Sequence, residues 1–91
     1  MDKQTYKIAV VGNRDAILPF RLIGFQTYPV TEPQEAINTL RKLSRENFGI
    51  IYLTEDIAQA IPDTVAFYDQ QLTPALILIP THRGTTGLGQ Q

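Results

Sequence analysis

The run Leu72-Thr73-Pro74-Ala75-Leu76-Ile77-Leu78-Ile79-Pro80 leaves few folds open. Between its prolines the residues are apolar without polar alternation, which fits a strand inside a parallel sheet, buried on both faces under helices. Phe48-Gly49-Ile50-Ile51-Tyr52-Leu53 has the same character, and Tyr6-Lys7-Ile8-Ala9-Val10-Val11 is a third β-rich run that breaks at the turn pair Gly12-Asn13. Phe25-Gln26-Thr27-Tyr28 alternates, so it reads as a half-exposed edge strand.

Helical spacing fills the intervals. Ile17, Phe20 and Ile23 recur on one face between Asp15, read as the N-cap, and Gly24, read as the stop, with Pro19 tolerable only in the first turn. Thr31-Glu32-Pro33-Gln34 supplies a capping box with proline in the first turn, and Ala36, Ile37, Leu40 and Leu43 form an apolar stripe opposite a charged, solvated face. Thr54-Glu55-Asp56 opens a short helix that Pro62 ends or kinks, and a further turn or two from Asp63 to Gln71 points Val65, Tyr68 and Leu72 at the sheet.

Strand and helix alternate with short connections, which predicts an α/β domain: a small open four-stranded parallel sheet of Rossmann-like or receiver-like topology. The weak second strand belongs at an edge and the first beside the third, giving the order 2-1-3-4. Right-handed crossovers then place the helices after strands two and three on one face and the first helix alone on the other. Residues 1–91 are read as one domain, with the glycine-rich stretch 84–91 as a mobile tail. The helix expected after the last strand is missing from the sequence, so a partner chain over the lone-helix face, or a longer parent chain, is expected.

Composition removes several function classes. The chain has eight basic and nine acidic residues and a net charge of -1, too balanced for a nucleic-acid footprint. It has no cysteine, which excludes disulfides, thiolate catalysis and sulfur-ligated zinc, and its apolar runs are far shorter than the roughly 20 residues that span a bilayer. The N-terminus leads into no signal-peptide core.

In an open α/β sheet, ligands sit beyond the carboxyl ends of the strands at the switch point, where this chain offers Gly12, Asn13, Arg14, Asp15, Thr54, Glu55 and Asp56. Gly12-Asn13-Arg14-Asp15-Ala16-Ile17 holds one of the three glycines of a dinucleotide fingerprint, and no Lys-Ser or Lys-Thr pair follows a glycine as a Walker loop requires. A phosphoacceptor receiver domain shares the topology but carries an acidic pair where Gly12-Asn13 stand, an aspartate where Leu53-Thr54 end the third strand, and a lysine on a fifth strand. Glu55 and Asp56 read instead as carboxylates stabilising a helix N-terminus, and Gly12 and Gly24 as turn glycines. The lone histidine, His82, has no second ligand type beside it, so no metal site and no nucleophile-base pair can be assembled. No cofactor is expected, and the remaining class is an interaction module.

Four blocks in register, Ile8-Ala9-Val10-Val11-Gly12, Phe20-Arg21-Leu22-Ile23-Gly24-Phe25, Phe48-Gly49-Ile50-Ile51-Tyr52-Leu53-Thr54-Glu55 and Leu72 to Pro80, resemble the F subunit of the V-type and archaeal-type ATPases, especially the bacterial branch. The resemblance runs over residues 5 to 89. It implies a non-catalytic component of the central stalk of a rotary ion-translocating motor, docked on the coiled coil of the D subunit and near the A and B subunits of the catalytic head. It further implies a cytoplasmic place, peripheral to the membrane, and a family pattern that continues past Gln91 into a C-terminal helix. Phe20, Arg21, Leu22, His82 and Arg83 are the candidate partner-interface residues, with Arg21 the interface cation. The alternative is a degenerate receiver-like regulatory domain that binds another protein.

Overall fold

The computed structural model describes residues 7–81. Four parallel strands, β1 (Lys7–Gly12), β2 (Gln26–Pro29), β3 (Phe48–Thr54) and β4 (Ala75–Ile79), form one sheet in the order β2-β1-β3-β4. The helices are α1 (Arg14–Leu22), α2 (Pro33–Arg45), α3 (Glu55–Ala60) and α4 (Pro62–Asp69). The strand order and the fold class expected from the sequence are those observed.

Register divides the side chains between two faces. Ala9 and Val11 of β1 stand level with Ile51 and Leu53 of β3, and in-register neighbours in a parallel sheet share a face. These four residues are fully buried and join Ala36, Leu40 and Leu43 of α2, Ile57 and Ala58 of α3, and Tyr68 of α4 in one apolar core. Each large aliphatic side chain sealed there contributes on the order of 1.5–3 kcal/mol. The opposite face carries Val10, buried with Ile17 of α1, and the aromatic rings of Phe20, Phe25 and Tyr52, whose centroids lie 6.2 to 6.5 Å apart. Among the described residues three helices therefore close one face and a single helix, α1, covers part of the other.

Local signals fix the helix ends, in part differently from the sequence reading. α1 begins two residues earlier than expected: Asn13, not Asp15, is its N-cap, and the Asp15 N–H donates to Asn13 Oδ1 at 3.3 Å. Pro19 consequently stands well inside the helix, past the first turn to which the sequence confined it, on an exposed side where its missing N–H costs least. At the other end Gly24, at φ 99°, donates to the Arg21 carbonyl and Phe25 N–H to the Phe20 carbonyl, both at 3.1 Å, which is the Schellman pattern. Its accompanying apolar contact is the Phe20–Phe25 stack, so the turn that ends α1 also sets the rings beside Tyr52.

The box at the start of α2 sits one residue later than expected, with Glu32 as the N-cap and Glu35 as its partner. The Glu35 carboxylate accepts from Thr31 N–H at 2.8 Å, Glu32 N–H at 3.2 Å and Thr31 Oγ1 at 3.2 Å. The Thr31 N–H first, and the Glu32 N–H next, hold its pKa below the ordinary value. Asn47, in the left-handed region at φ 66°, turns the chain from α2 into β3.

Two expectations about burial fail. Leu72 is 92% exposed because α4 ends at Asp69, so the helical spacing from Val65 and Tyr68 does not reach it. β4 is not buried on both faces: Ile77 and Leu78, which point to opposite faces, are 41% and 43% exposed. Among the described residues the strand is the outer member of the sheet, paired with β3 alone, so the helices overlap only its inner margin.

Leu40→Ala should lower unfolding stability by about 2–5 kcal/mol in denaturant titration, whereas Leu72→Ala should stay within about 0.5 kcal/mol of the parent. For Glu35 the folded pKa is the lower one, so its contribution is complete above the unfolded carboxylate value and fades as pH falls through the folded value. The stability gap between the parent and Glu35→Gln should therefore be constant near neutrality and close on acidification; a gap independent of pH would rule out the carboxylate as its source.

Candidate functional site

The sequence directs attention to the carboxyl ends of the strands. β1 and β3 end side by side, and Gly12 there meets the Thr54 side chain so closely that a Cβ on the glycine would overlap the Thr54 hydroxyl and methyl and stand 2.8 Å from the Thr54 Cβ. Gly12 is thus required by close approach and not by turn geometry; of the described glycines only Gly24 has a positive φ. Thr54 is fully buried, and among the described residues its Oγ1 has no hydrogen-bond partner. The threonine fills the space above the glycine, where a phosphate-binding loop would need open backbone amides.

Beyond this contact lies a crevice of about 470 Å3 between α1 and the end of β4, lined by Asn13, Asp15, Asp56, Ile79 and Thr81 among others. The structure does bring Asp15 and Asp56 to one crevice. Asn13 Oδ1 is engaged as the α1 cap, and Asp56 Oδ1 accepts from the Ile57 N–H at 2.9 Å. Glu55 turns away and lines a different hollow with Pro62 and Leu78. Among the described residues, no group of three or more His, Cys, Asp or Glu side chains is placed to hold a metal ion. Lys7 lies at the opposite end of the sheet, its Nζ 4.8 Å from the centre of the Phe48 ring, so it cannot serve the crevice as a receiver lysine would.

A second feature runs along the outer side of β2. A groove of about 730 Å3 separates α1 from the edge strand, with Arg14, Leu18 and Arg21 on the helix wall and Phe25, Tyr28 and Glu35 among the residues opposite. Burial, and then the Glu46 carboxylate, push the Tyr28 phenol above its ordinary pKa. Of the interface residues expected from the sequence, Arg21 is exposed on this wall and Leu22 is 81% exposed beside it. Phe20 instead belongs to the ring stack under α1. His82 and Arg83 lie outside the described residues. Sequence reasoning assigned Arg14 to the switch point and passed over Leu18 as a partner of Arg21; their spacing of four and then three residues, one flank of a helix, was the available signal.

Together these features define a small parallel α/β domain with a crevice at its strand ends and a groove between α1 and β2 that carries exposed basic and aliphatic side chains. The family profile described as ATP synthase (F/14-kDa) subunit matches residues 8–91. The chain is 40% identical over 87 residues to the V-type ATP synthase F subunit of Fusobacterium nucleatum, covering 96% of this chain and 83% of that protein. It is 39% identical over 79 residues to the A-type ATP synthase F subunit of Methanothermobacter thermautotrophicus, covering 85% of this chain and 74% of the other. The crystal structure of the V-type ATP synthase F subunit from Archaeoglobus fulgidus superposes with a TM-score of 0.70 at 23% identity, over 84% of this chain and 99% of that one, and shows the same fold. The chain belongs to the F-subunit family of the V-type and A-type ATP synthases.

Gly12→Ala should cost about 1–3 kcal/mol through overpacking against Thr54. Adding Thr54→Ala should recover part of that loss, a coupling readable in a double-mutant cycle. Thr54→Val, which removes the unpartnered hydroxyl and keeps the shape, should leave stability unchanged or raise it. Additive losses from the first pair would show that the two side chains do not compete for one space.

Proposed function

We propose that this chain is a non-catalytic component of the central stalk of a rotary V/A-type ATPase, docking on the coiled coil of the D subunit and helping to couple ATP turnover to ion transport. The observation that carries the reading is the family match over residues 8–91. Two structural features support it. At the strand ends the Asp56 carboxylate serves the start of α3, accepting from the Ile57 N–H. Exposed aliphatic residues line the end of α1, where Leu22 and Ile23 are 81% and 70% exposed. The proposal includes a peripheral cytoplasmic place beside the A and B subunits of the head; no helix among the described residues is long and apolar enough to cross a membrane.

The receiver-like alternative draws on one observation, the placement of Asp15 and Asp56 on one crevice. It lacks, among the described residues, the lysine that a receiver brings to its phosphorylated aspartate.

Calorimetric titration of the chain into the purified D subunit decides the first reading. Saturable one-to-one binding with co-elution is the expected result. Absence of heat, both for this chain and for one extended by a family C-terminal helix, would reject the stalk assignment. Incubation with a small phosphoryl donor and magnesium should leave no acid-labile phosphate; label on Asp15 or Asp56 would favour the receiver-like reading.

A further inference from the structure

The α1 wall of the groove carries an unusual ordering of side chains. Arg14, Leu18 and Arg21 occupy positions i, i+4 and i+7, so they stand in line on the flank of α1 that faces the β2 edge. All three are exposed, and Leu22 extends the line at its C-terminal end. Among the described residues neither guanidinium has an ion-pair or hydrogen-bond partner. The acidic side chain across the groove, Glu35, is committed to Thr31 and Glu32 at the start of α2. The groove thus presents two unpaired cations on either side of an exposed leucine, with the single carboxylate of its lining, Glu35, held by backbone donors on the far wall.

The spacing selects the form of a complementary partner. Seven helical residues advance about 10.5 Å along an axis, the separation of the two arginines along α1. A β-strand covers that length in about three residues, which puts its matching side chains on opposite faces. A helix alongside α1 returns a side chain to the same face every seven residues, so carboxylates at i and i+7 can both meet the arginines while an apolar residue between them packs on Leu18.

We infer that the α1–β2 groove is the docking surface for an acidic amphipathic helix of a partner protein, with Arg14 and Arg21 reading carboxylates one heptad apart and Leu18 supplying the apolar contact between them. The inference rests on the docking function proposed above and names its surface and the chemistry of the partner segment. Arginine suits the role because its planar fork engages a carboxylate with two donors and is more weakly hydrated than an ammonium. Charges at an interface rim act mainly on encounter, so the association rate is the sensitive readout.

The test compares the chain with its Arg14→Glu/Arg21→Glu variant against two probes. One is the purified D subunit; the other is a designed helical hairpin bearing two surface glutamates seven residues apart with a leucine between. Both arginines are exposed, and unchanged far-UV dichroism and thermal unfolding should show that the variant folds. The variant should bind the D subunit at least tenfold more weakly, with slower association and a shallower dependence on salt. A hairpin carrying lysines in place of the glutamates should bind the variant and not the parent. If parent and variant bind the D subunit alike, with the same salt dependence, the groove is the wrong surface while the docking function stands. If the D subunit binds neither, the docking function falls and the hairpin decides: binding to the parent that the double substitution abolishes retains the groove for another acidic helix, and no binding removes it.

Discussion

The pairing of β1 with β3 is the constraint from which the rest follows. Parallel ladders expose two apolar faces at once, and a strand in the middle of such a sheet has no side it can leave in water. Val10 and Val11 are fully buried on opposite faces of β1, and Ile51 and Leu53 on one face of β3, so helices must arrive on both sides. Right-handed crossovers distribute those helices by connection order, which gives α2, α3 and α4 to one side and α1 alone to the other. The asymmetry of the molecule is thus a consequence of chain order around two central strands.

The same pairing makes Gly12 a glycine. Where β1 and β3 end in register, the buried Thr54 side chain occupies the volume that a Cβ on Gly12 would need. The chain then leaves β1 directly into the Asn13 cap of α1, and α1 returns through Gly24 so that Phe20 and Phe25 stack beside Tyr52. One tight contact at the strand ends and one left-handed turn at the helix end together determine how α1 lies on the sheet. That position in turn opens the groove along β2 and aims Arg14 and Arg21 at it.

Much of this was legible in the sequence. The uninterrupted apolar runs marked β1, β3 and β4, and the polar alternation around Gln26 and Thr27 marked β2 as the edge, which was enough for the strand order. What escaped depended on contacts between residues distant in sequence or on a shift of one or two positions. Gly12 followed by Asn13 looks like a turn pair, and nothing local shows that Thr54 lies above it. Thr31 and Gln34 suit a capping box as well as Glu32 and Glu35 do, and the structure uses the later pair. Leu72 continues the spacing of Val65 and Tyr68 on paper, but the helix has already ended at Asp69. β4 has the composition of a central strand and the position of an outer one, because composition reports what a strand could bury and topology decides what it does.

The two edges of the sheet meet that exposure differently. β2 is short, carries Gln26 and ends in Pro29, and its flank is bordered by the polar start of α2, features that discourage another strand from pairing there. Its groove can therefore accept a helix without inviting sheet extension, and the charges that would select the helix come from α1, outside the strand itself. β4 leaves Ile77 and Leu78 exposed on opposite faces with no charged residue within the strand, and Pro74 and Pro80 bracket it at either end. A proline before and after the strand limits the length over which foreign backbone can pair, so protection there comes from the ends of the strand while on β2 it comes from its side chains. Recognition by side-chain charge along α1 and avoidance of backbone pairing along both edges are compatible because they use different groups of the same small sheet.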